Sequence, residues 1–282
     1  MKIDLHTHST CSDGTMSPTE LVQHAIINGI DILAITDHDT VAGWSEAIAA
    51  IRGEFQLVLG AEISCLTENG ESIHMLGLLF DANYQPLQEV LAASRDDRLP
   101  RMQKMIKSMN EDGIKITYEE VLSFKPEGAT LGRPHLADAL VAKGLVKSRD
   151  EAFADWLNNS SKYYVSHVAP TPLEAITLIK AAGGVSVIAH PYSSFRGGQL
   201  NIESFRQMKS AGLNGIEVDH RDHSHQEREE LREIAKSLDF VITGSSDFHG
   251  SGKLNLIGEN LTAPSQWEQL ESMADDRRVV KK

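Results

Sequence analysis

Cysteine, aromatic residues and long apolar segments are all scarce in this sequence. Its two cysteines, Cys11 and Cys65, lie far apart and form no C-x-x-C pair, so we expect no disulfide framework and a reducing compartment. Phe, Trp and Tyr make up 6% of the 282 residues, which leaves the core mainly to aliphatic side chains. No apolar run is long enough to span a bilayer, and the N-terminus lacks the pattern of a signal peptide. The sequence therefore predicts a cytoplasmic protein that does not associate with membranes.

Basic residues are scarce as well. The chain has 27 Lys and Arg against 40 Asp and Glu, which gives a formal net charge of −13. Because affinity for duplex nucleic acid comes mainly from basic side chains, we expect no long duplex partner. A small phosphorylated substrate or a short oligonucleotide stays compatible, since bound divalent metals could attract it locally. The sequence indicates no particular protein partner. It also lacks a G-x-x-x-x-G-K-[ST] loop, so ATP-driven chemistry is not expected.

Short apolar segments alternate with helical patterns, which is typical of βα units around a mainly parallel sheet. A polar, helical stretch of residues 86–168 contains no convincing buried strand, and we interpret it as a helical subdomain inserted into the main domain. Four capping-box patterns, which begin at Ser17, Thr117, Ser148 and Thr171, predict helix starts. The candidate strands are Lys2–His6, Ile30–Thr36, Gln56–Glu62, Ile73–Phe80, Val185–His190, Gly215–Asp219 and Phe240–Ser245.

Histidines and acidic residues stand at or near the ends of six of these strands. Side chains at the carboxyl ends of parallel strands converge on one face of an α/β barrel, so these segments direct metal-type ligands to one place. His6 and His8 have the i, i+2 spacing that points both imidazoles to one side of an extended chain. The other residues of this pattern are Asp37-His38-Asp39, Glu62, His74, His190 and Asp247-Phe248-His249.

The residue types suggest a metal centre. Imidazole with carboxylate suits Zn, Mn or Fe, and a carboxylate such as Glu62 can bridge two metals with its two oxygens. A single histidine at a strand end is more often a hydrogen-bonded structural group than a ligand. Six coincident strand ends favour the metal interpretation instead. His24, His167, His223 and His225 lack this placement, and we expect them to be ordinary surface or supporting groups.

These segments resemble the motifs of the PHP family, which is named after polymerases and histidinol phosphatases. The resemblance runs through the whole chain in order. It implies a distorted (β/α)7 barrel formed by residues 1–85 and 169–282, with residues 86–168 as an inserted helical subdomain that caps the substrate. The matching segments are His6-Thr7-His8-Ser9, Cys11-Ser12-Asp13-Gly14, Ile35-Thr36-Asp37-His38-Asp39, Gly60-Ala61-Glu62, His74, Ala189-His190-Pro191 and Ser246-Asp247-Phe248-His249.

The resemblance also implies three divalent metal ions, with Mn²⁺ expected and Fe²⁺ or Zn²⁺ compatible. The first metal would be held by His6, His8, Glu62 and Asp247. The second would share Glu62 and add His74 and His190, and the third would take Asp13, His38 and His249. Asp37 and Asp39 would orient neighbouring groups.

Within the family, the closer resemblance is to 3′,5′-nucleoside bisphosphate phosphatases, some of which also trim short RNAs from the 5′ end. The insertion lies between His74 and His190, as in that subgroup. The segment Gly132-Arg133-Pro134-His135 resembles the place where the subgroup caps the substrate phosphate with an arginine and a histidine. The segment Gly215-Ile216-Glu217-Val218, followed by His220, is similar too.

The substrate contacts can also be considered from residue chemistry. A guanidinium offers two donors to phosphate oxygens, and Arg133 on an insertion above the barrel could close over substrate. The alternative for Arg133 is an ordinary surface arginine before a helix-starting proline. Arg196 and Arg221 are rival phosphate contacts, and Phe195 or Tyr192 could stack on a base.

The expected mechanism is direct hydrolysis. The metal pair bridged by Glu62 would generate a hydroxide that attacks phosphorus, while the third metal, Arg133 and His135 neutralise the phosphoryl charge. The leaving group would be protonated by a metal-bound water or by His220, and the sequence leaves both open. No nucleophilic triad is expected, because the histidines beside Ser9, Ser12 and Ser246 are assigned to metal.

Three alternatives share parts of this pattern. A histidinol-phosphate phosphatase has the metal motifs, but the insertion with Arg133 and His135 argues against it. A metal-dependent amidohydrolase also begins with H-x-H, but its bridging lysine has no counterpart at a strand end here. A non-catalytic metal-binding domain would have lost ligands, and none is missing. We therefore predict a phosphoric ester hydrolase that removes the 3′-phosphate of nucleoside 3′,5′-bisphosphates such as pAp.

Overall fold

The computed structural model describes residues 1–126, 129–193, 200–275 and 279–281. Its centre is a sheet whose first seven strands follow one another in chain order, and an eighth strand, β8 (Val279–Val280), pairs with the third. All seven predicted strands are present, although the third continues past Glu62. The strands are β1 (Ile3–Asp4), β2 (Ile32–Ile35), β3 (Gln56–Leu66), β4 (Ser72–Leu78), β5 (Val185–Ala189), β6 (Gly215–Asp219) and β7 (Val241–Gly244).

The sheet is parallel except around β4 and where β8 pairs antiparallel with β3. Strands β1 to β3 are parallel to one another, as are β5 to β7, whereas β4 runs antiparallel to both of its neighbours. A parallel bridge joins Thr7, just after β1, to Phe248, after β7, and the His8 N–H donates to the Phe248 carbonyl at 2.9 Å. The sheet thus curls into a nearly closed barrel, which confirms the predicted seven-stranded fold.

Helices surround this barrel and fill the insertion. Ser17, Thr117 and Thr171 each form the predicted capping box, whereas Ser148 accepts the Glu151 N–H but the glutamate does not return to the cap. The helices are α1 (Pro18–Ile27), α2 (Trp44–Ala50), α3 (Gln85–Glu111), α4 (Tyr118–Leu122), α5 (Arg133–Ala142), α6 (Arg149–Ala152), α7 (Pro172–Ala181), α8 (Ile202–Ala211), α9 (His225–Ser237) and α10 (Pro264–Ser272).

The stretch predicted as an insertion contains helices α3 to α6 and a π-helical turn, Phe153–Leu157, with no strand among its described residues. Met105, Leu136, Leu140 and Tyr163 belong to a hydrophobic cluster that is formed within this stretch. The helices can therefore bury their apolar faces against one another. The domain boundaries themselves stay a prediction.

Two apolar layers stabilise the barrel. Val58 and Leu76 point into its interior cluster, whereas their strand neighbours Leu57 and Met75 belong to the layer between the sheet and the helices. This alternation follows from the two-residue period of a strand, and because both faces are covered, the strands are mainly apolar. Among the helices within the described ranges, none combines the length and apolar character needed to cross a membrane.

Candidate metal centre

The nine predicted metal ligands gather at one end of the barrel, and each is buried. Most of them follow the carboxyl ends of parallel strands, as expected. His74 arrives differently, because it lies near the beginning of β4, which runs in the opposite direction. Pairing of His74 with Ala189 places its imidazole next to His190. A reversed strand thus contributes its amino end to the same edge of the barrel.

Four side chains form a first compact group of donor atoms. The Nε2 atoms of His6 and His8 are 3.0 Å apart. They lie 3.3 and 3.2 Å from Glu62 Oε2, and 3.4 and 3.3 Å from Asp247 Oδ1. Ligands about 2.1 Å from one tetrahedral cation are themselves about 3.4 Å apart. The spacing of these four donors therefore suits a single divalent ion.

Glu62 connects this group with a second one. Its other oxygen, Oε1, lies 2.5 Å from His74 Nδ1 and 3.0 Å from His190 Nε2. Glu62 thus directs one carboxylate oxygen to each group, which is the arrangement of a bridging ligand. His38 Nδ1 also lies 3.0 Å from Glu62 Oε2, so this histidine stands between the groups.

A third group forms around Asp13. Its Oδ1 atom lies 3.2 Å from His249 Nε2, and its Oδ2 atom lies 3.7 Å from His38 Nε2. His8 Nδ1 lies 3.7 Å from Asp13 Oδ1 and brings this group next to the first. The residues expected to hold a third metal are therefore assembled at one place.

Several buried atoms of these side chains have no hydrogen-bond partner within the described structure. Leaving such atoms unsatisfied is costly, whereas a cation would satisfy them together. The atoms belong to the first and third groups and to His38, so the donor set fits divalent cations. They are Asp13 Oδ1, His38 Nδ1, Glu62 Oε2, Asp247 Oδ1 and His249 Nε2.

The electrostatics of the site keep its carboxylates ionised. Burial alone would raise the pKa of Glu62, but the charges of His74, His38 and His6 hold this pKa well below its ordinary value. Burial would also raise the pKa of Asp247, but the charges of Lys253 and His249 outweigh it and hold this pKa well below its usual range. Anionic oxygens are the form that a cation needs.

Supporting groups hold the ligands in place. Glu217 Oε1 lies 3.0 Å from His6 Nδ1, and Glu217 Oε2 accepts the His190 N–H at 2.8 Å. His190 and Asp247 have φ angles of 29° and 52°, which non-glycine residues rarely adopt and which are often found at functional sites. Asp37 accepts hydrogen bonds from the Ser9 N–H and hydroxyl at 2.8 and 2.7 Å, and so fixes the loop after His8.

A cleft of about 330 Å³ opens over this centre. Its floor includes Asp13, His38, His74, Asp247 and His249, and one wall comes from the inserted helices. Although the protein carries a net charge of −13, the residues that line the cleft in the described part of the chain include six Arg and Lys side chains. They are Arg98, Arg101, Arg133, Arg149, Arg221 and Lys253.

The predicted substrate contacts lie at different depths. Arg133 lines the cleft, where its Nη1 donates to the Leu157 carbonyl at 2.6 Å and to Asn159 Oδ1 at 2.9 Å. Arg221 also lines it and pairs with Glu259 at 2.9 Å. Arg196 and Phe195 lie outside the described residues.

His135 and His220 are buried behind the described cleft wall. His135 Nδ1 accepts the Gly132 N–H at 3.0 Å, and His220 Nε2 lies 3.4 Å from Asp247 Oδ2. Tyr192 is buried too, and its hydroxyl lies 3.4 Å from the Leu200 carbonyl. These three side chains therefore pack behind the open surface of the cleft.

Sequence reasoning missed several residues that line the cleft. Arg98 and Arg101 are one turn apart on α3, and their i, i+3 spacing in an acidic protein was an available signal. His167, expected to be an ordinary histidine, lies at the cleft as well. Burial and the charges of Arg101 and Arg98 lower the pKa of His167 to about 3.

Sequence comparison supports the same interpretation. The profile of the PHP domain family matches residues 4–165. A 5′-3′ exoribonuclease from Haemophilus influenzae is 34% identical over 261 residues, which cover 92% of this chain and 94% of that protein. A 3′,5′-nucleoside bisphosphate phosphatase from Chromobacterium violaceum is 32% identical over 252 residues, 89% and 88% of the two chains.

Solved structures share the whole fold. One from Bifidobacterium adolescentis, assigned as a metal-dependent phosphoesterase, has a TM-score of 0.90 and 40% identity, with 97% of this chain and 96% of that chain covered. Another, from Chromobacterium violaceum, is named an amidohydrolase with bound sulfate and no metal. It has a TM-score of 0.87 and 29% identity, with coverages of 100% and 98%.

These comparisons confirm the predicted enzyme class, a phosphoric ester hydrolase, and do not favour the alternatives. The matched region begins at Asp4 and includes the first six predicted ligands, while the relatives and structures extend the likeness through the rest of the chain. The chain therefore belongs to the PHP domain family.

Proposed function

We propose that this phosphoric ester hydrolase removes the 3′-phosphate from nucleoside 3′,5′-bisphosphates, as in the conversion of pAp to AMP. The observation that carries the proposal is the cationic cleft that extends from the metal centre along the insertion. A substrate with two phosphates can place one over the metals and the other against the arginines. The relative named for bisphosphate hydrolysis supports this choice.

Trimming of short 5′-phosphorylated RNAs from the 5′ end is proposed as a second activity of the same site. A relative named for that activity covers 92% of the chain. A short RNA offers the same terminal phosphate followed by an ester one nucleotide further on, so a single cleft can bind both substrates. The net charge of −13 continues to disfavour long duplexes.

We propose that three divalent cations, with Mn²⁺ as the physiological metal, bind to the three donor groups. His6, His8, Glu62 and Asp247 would hold the first, while Glu62, His74 and His190 would hold the second and Asp13, His38 and His249 the third. When bound, such cations supply Lewis acidity to the phosphoryl group and a nucleophilic water.

The second phosphate is proposed to bind to Arg98, Arg101, Arg133 and His167. Arg98 Nε, Arg101 Nη2 and His167 Nδ1 are buried and have no hydrogen-bond partner among the described residues. Charge-assisted hydrogen bonds to phosphate oxygens would satisfy these atoms and fix the orientation of the substrate. The insertion would thereby act as the predicted substrate-capping subdomain.

His135 and His220 are proposed to act through other residues. His135 binds the backbone at the start of α5 and so holds the turn that carries Arg133. His220 faces the outer oxygen of Asp247 and orients that carboxylate. The earlier expectation that either side chain contacts substrate stays a prediction.

The same cleft disfavours the rival substrates. Histidinol phosphate carries an ammonium group and no second phosphate, so it offers no second anion to Arg101 and Arg133 in this cleft. A neutral amide substrate would form no charge-assisted hydrogen bonds with the arginines of the cleft. Both cysteines are free, which supports the proposed cytoplasmic location.

The test is a phosphate-release screen of the Mn²⁺-loaded protein with pAp, 5′-phosphorylated oligoribonucleotides and histidinol phosphate. We expect pAp to be turned over fastest, and faster release from histidinol phosphate would overturn the proposal. His190→Ala and Asp247→Ala should abolish turnover while the protein stays folded. His225→Ala, at an exposed position on α9, should retain full activity.

A further inference from the structure

The two oxygens of Asp247 face different surroundings. Oδ1 lies 3.4 Å from His6 Nε2 and 3.3 Å from His8 Nε2, within the first group of metal donors. Oδ2 points the other way, 2.6 Å from Lys253 Nζ and 3.4 Å from His220 Nε2. A lysine ammonium is therefore one carboxylate away from the centre at which a cation would bind.

Lys253 stands between this buried carboxylate and the open cleft. Its side chain is 33% exposed, whereas that of Asp247 is 3% exposed, and both residues line the cleft. His220, on the same oxygen, is fully buried. Of these two neighbours of Asp247 Oδ2, Lys253 is thus the one that a bound substrate can reach.

Cation binding alone does not explain a lysine at this position. A divalent cation held by Asp247 Oδ1 would repel the nearby ammonium, because both are positive and the surroundings are poorly solvated. An anion shared by the two cations removes this conflict. A phosphoryl group undergoing displacement spreads negative charge over three oxygens and can contact both.

The segment around Lys253 is anchored on both sides. Asn255 Nδ2 donates to the Ser246 carbonyl at 2.7 Å, and the Gly252 N–H donates to the His249 carbonyl at 3.2 Å. Arg149 Nη1 binds the Gly252 carbonyl at 2.9 Å. The backbone is therefore fixed, while the flexible four-carbon stem lets the ammonium turn from Asp247 to a nearby oxygen.

We propose that Lys253 is a catalytic residue whose ammonium binds a non-bridging oxygen of the phosphoryl group under attack. This inference rests on the proposed function in that it assumes phosphoryl transfer at the metal centre. Arg149 and Arg221 bind the carboxylates of Asp138 and Glu259 on the wall, whereas Lys253 contacts a residue of the centre itself.

The test compares Lys253→Met and Lys253→Arg with Lys236→Met, a control at an exposed position on α9. We expect Lys253→Met to lower kcat about 10²-fold on both pAp and p-nitrophenyl phosphate, as loss of one charge-stabilising donor does. Binding of inorganic phosphate to the Mn²⁺-loaded protein should weaken about tenfold in calorimetry. Binding of Mn²⁺ should stay equal or become tighter, and Lys253→Arg should restore part of kcat.

Two results would overturn the assignment. If kcat and phosphate binding change less than twofold, and only the metal-free protein loses thermal stability, Lys253 merely neutralises Asp247. If Mn²⁺ binding is lost, Lys253 supports the ligand geometry instead of contacting phosphate. If the wild-type protein hydrolysed p-nitrophenyl phosphate but not pAp, only the proposed substrate would be refuted. The role of Lys253 would still be tested by binding of inorganic phosphate and by turnover of p-nitrophenyl phosphate.

Discussion

Glu217 links two predicted metal ligands, because one of its oxygens lies 3.0 Å from His6 Nδ1 and the other accepts the His190 N–H at 2.8 Å. The contact to His6 favours a proton on Nδ1, so that the lone pair of Nε2 is available to a metal ion in the first group. The contact to His190 holds a backbone with a φ of 29°. One buried carboxylate thus orients an imidazole of the first group and the main chain of the second.

We predict that Glu217→Gln weakens Mn²⁺ binding about 10- to 100-fold, as loss of an outer hydrogen-bond partner does in other metal sites. The amide keeps only one acceptor oxygen, so its NH₂ group must face a donor of either His6 or His190. Isothermal titration calorimetry on the metal-free protein measures the change. Glu233→Gln, at an exposed position on α9, is the matched control, and equal affinities in both variants would contradict the orienting role.

Asp13 provides a test of the separate third site. Its neighbours there are His249 Nε2 at 3.2 Å and His38 Nε2 at 3.7 Å, whereas the other two groups are built around Glu62. We predict that Asp13→Ala lowers the bound metal by about one equivalent and leaves the remainder in place. Elemental analysis after dialysis measures the stoichiometry. Asp155→Ala, exposed on the insertion, should bind as much metal as the wild type, and complete metal loss in Asp13→Ala would show that the sites are not separate.

Much of the barrel could be predicted from sequence because its strands combine two readable features. Each is a short apolar run, and most end in a histidine or carboxylate. His190 does follow its strand directly, whereas Glu62 lies inside β3, which continues to Leu66. The direction of β4 could not be predicted, because an apolar strand covered on both faces has the same pattern in either orientation. His74 therefore reaches the site from the beginning of its strand, although the sequence pattern counts it with the ligands at strand ends.

The walls of the cleft were harder to predict than its floor. Arg98 and Arg101 lie on a long helix that carries charged residues along most of its length, so these two do not stand out in its sequence. His167 and Lys253 lie outside regular elements, where no periodicity indicates direction. These residues meet only through the packing of the insertion against the barrel, and a sequence pattern does not encode contacts of that kind.

Arg133 and Arg101 should determine which phosphate ester is preferred. We predict that Arg133→Ala or Arg101→Ala lowers kcat/KM for pAp about 10- to 100-fold, the value of a charge-assisted hydrogen bond, and lowers that for p-nitrophenyl phosphate less than about threefold. The smaller substrate lacks the second phosphate and does not use the arginines. Steady-state assays with both substrates measure the ratio. Arg206→Ala, 58% exposed on α8, is the control, and equal losses on both substrates would reject the contact.

His167 should make the protein more sensitive to acid. Burial and the charges of Arg101 and Arg98 lower the pKa of this imidazole to about 3, whereas an unfolded histidine titrates near 6.5. Below about pH 6.5, His167 therefore binds a proton in the unfolded chain but not in the folded protein. The free energy of unfolding consequently falls as the pH falls towards 3.

We therefore predict that, between pH 7.5 and 5.0, the wild type loses at most about 2 kcal/mol more unfolding free energy than His167→Gln. Urea denaturation of the chelator-treated proteins at both pH values measures this difference, and the shared metal ligands cancel in the comparison. His225→Gln removes an exposed histidine and should keep the wild-type pH dependence. If His167→Gln kept it as well, the imidazole would have to be free to take up a proton in the folded cleft.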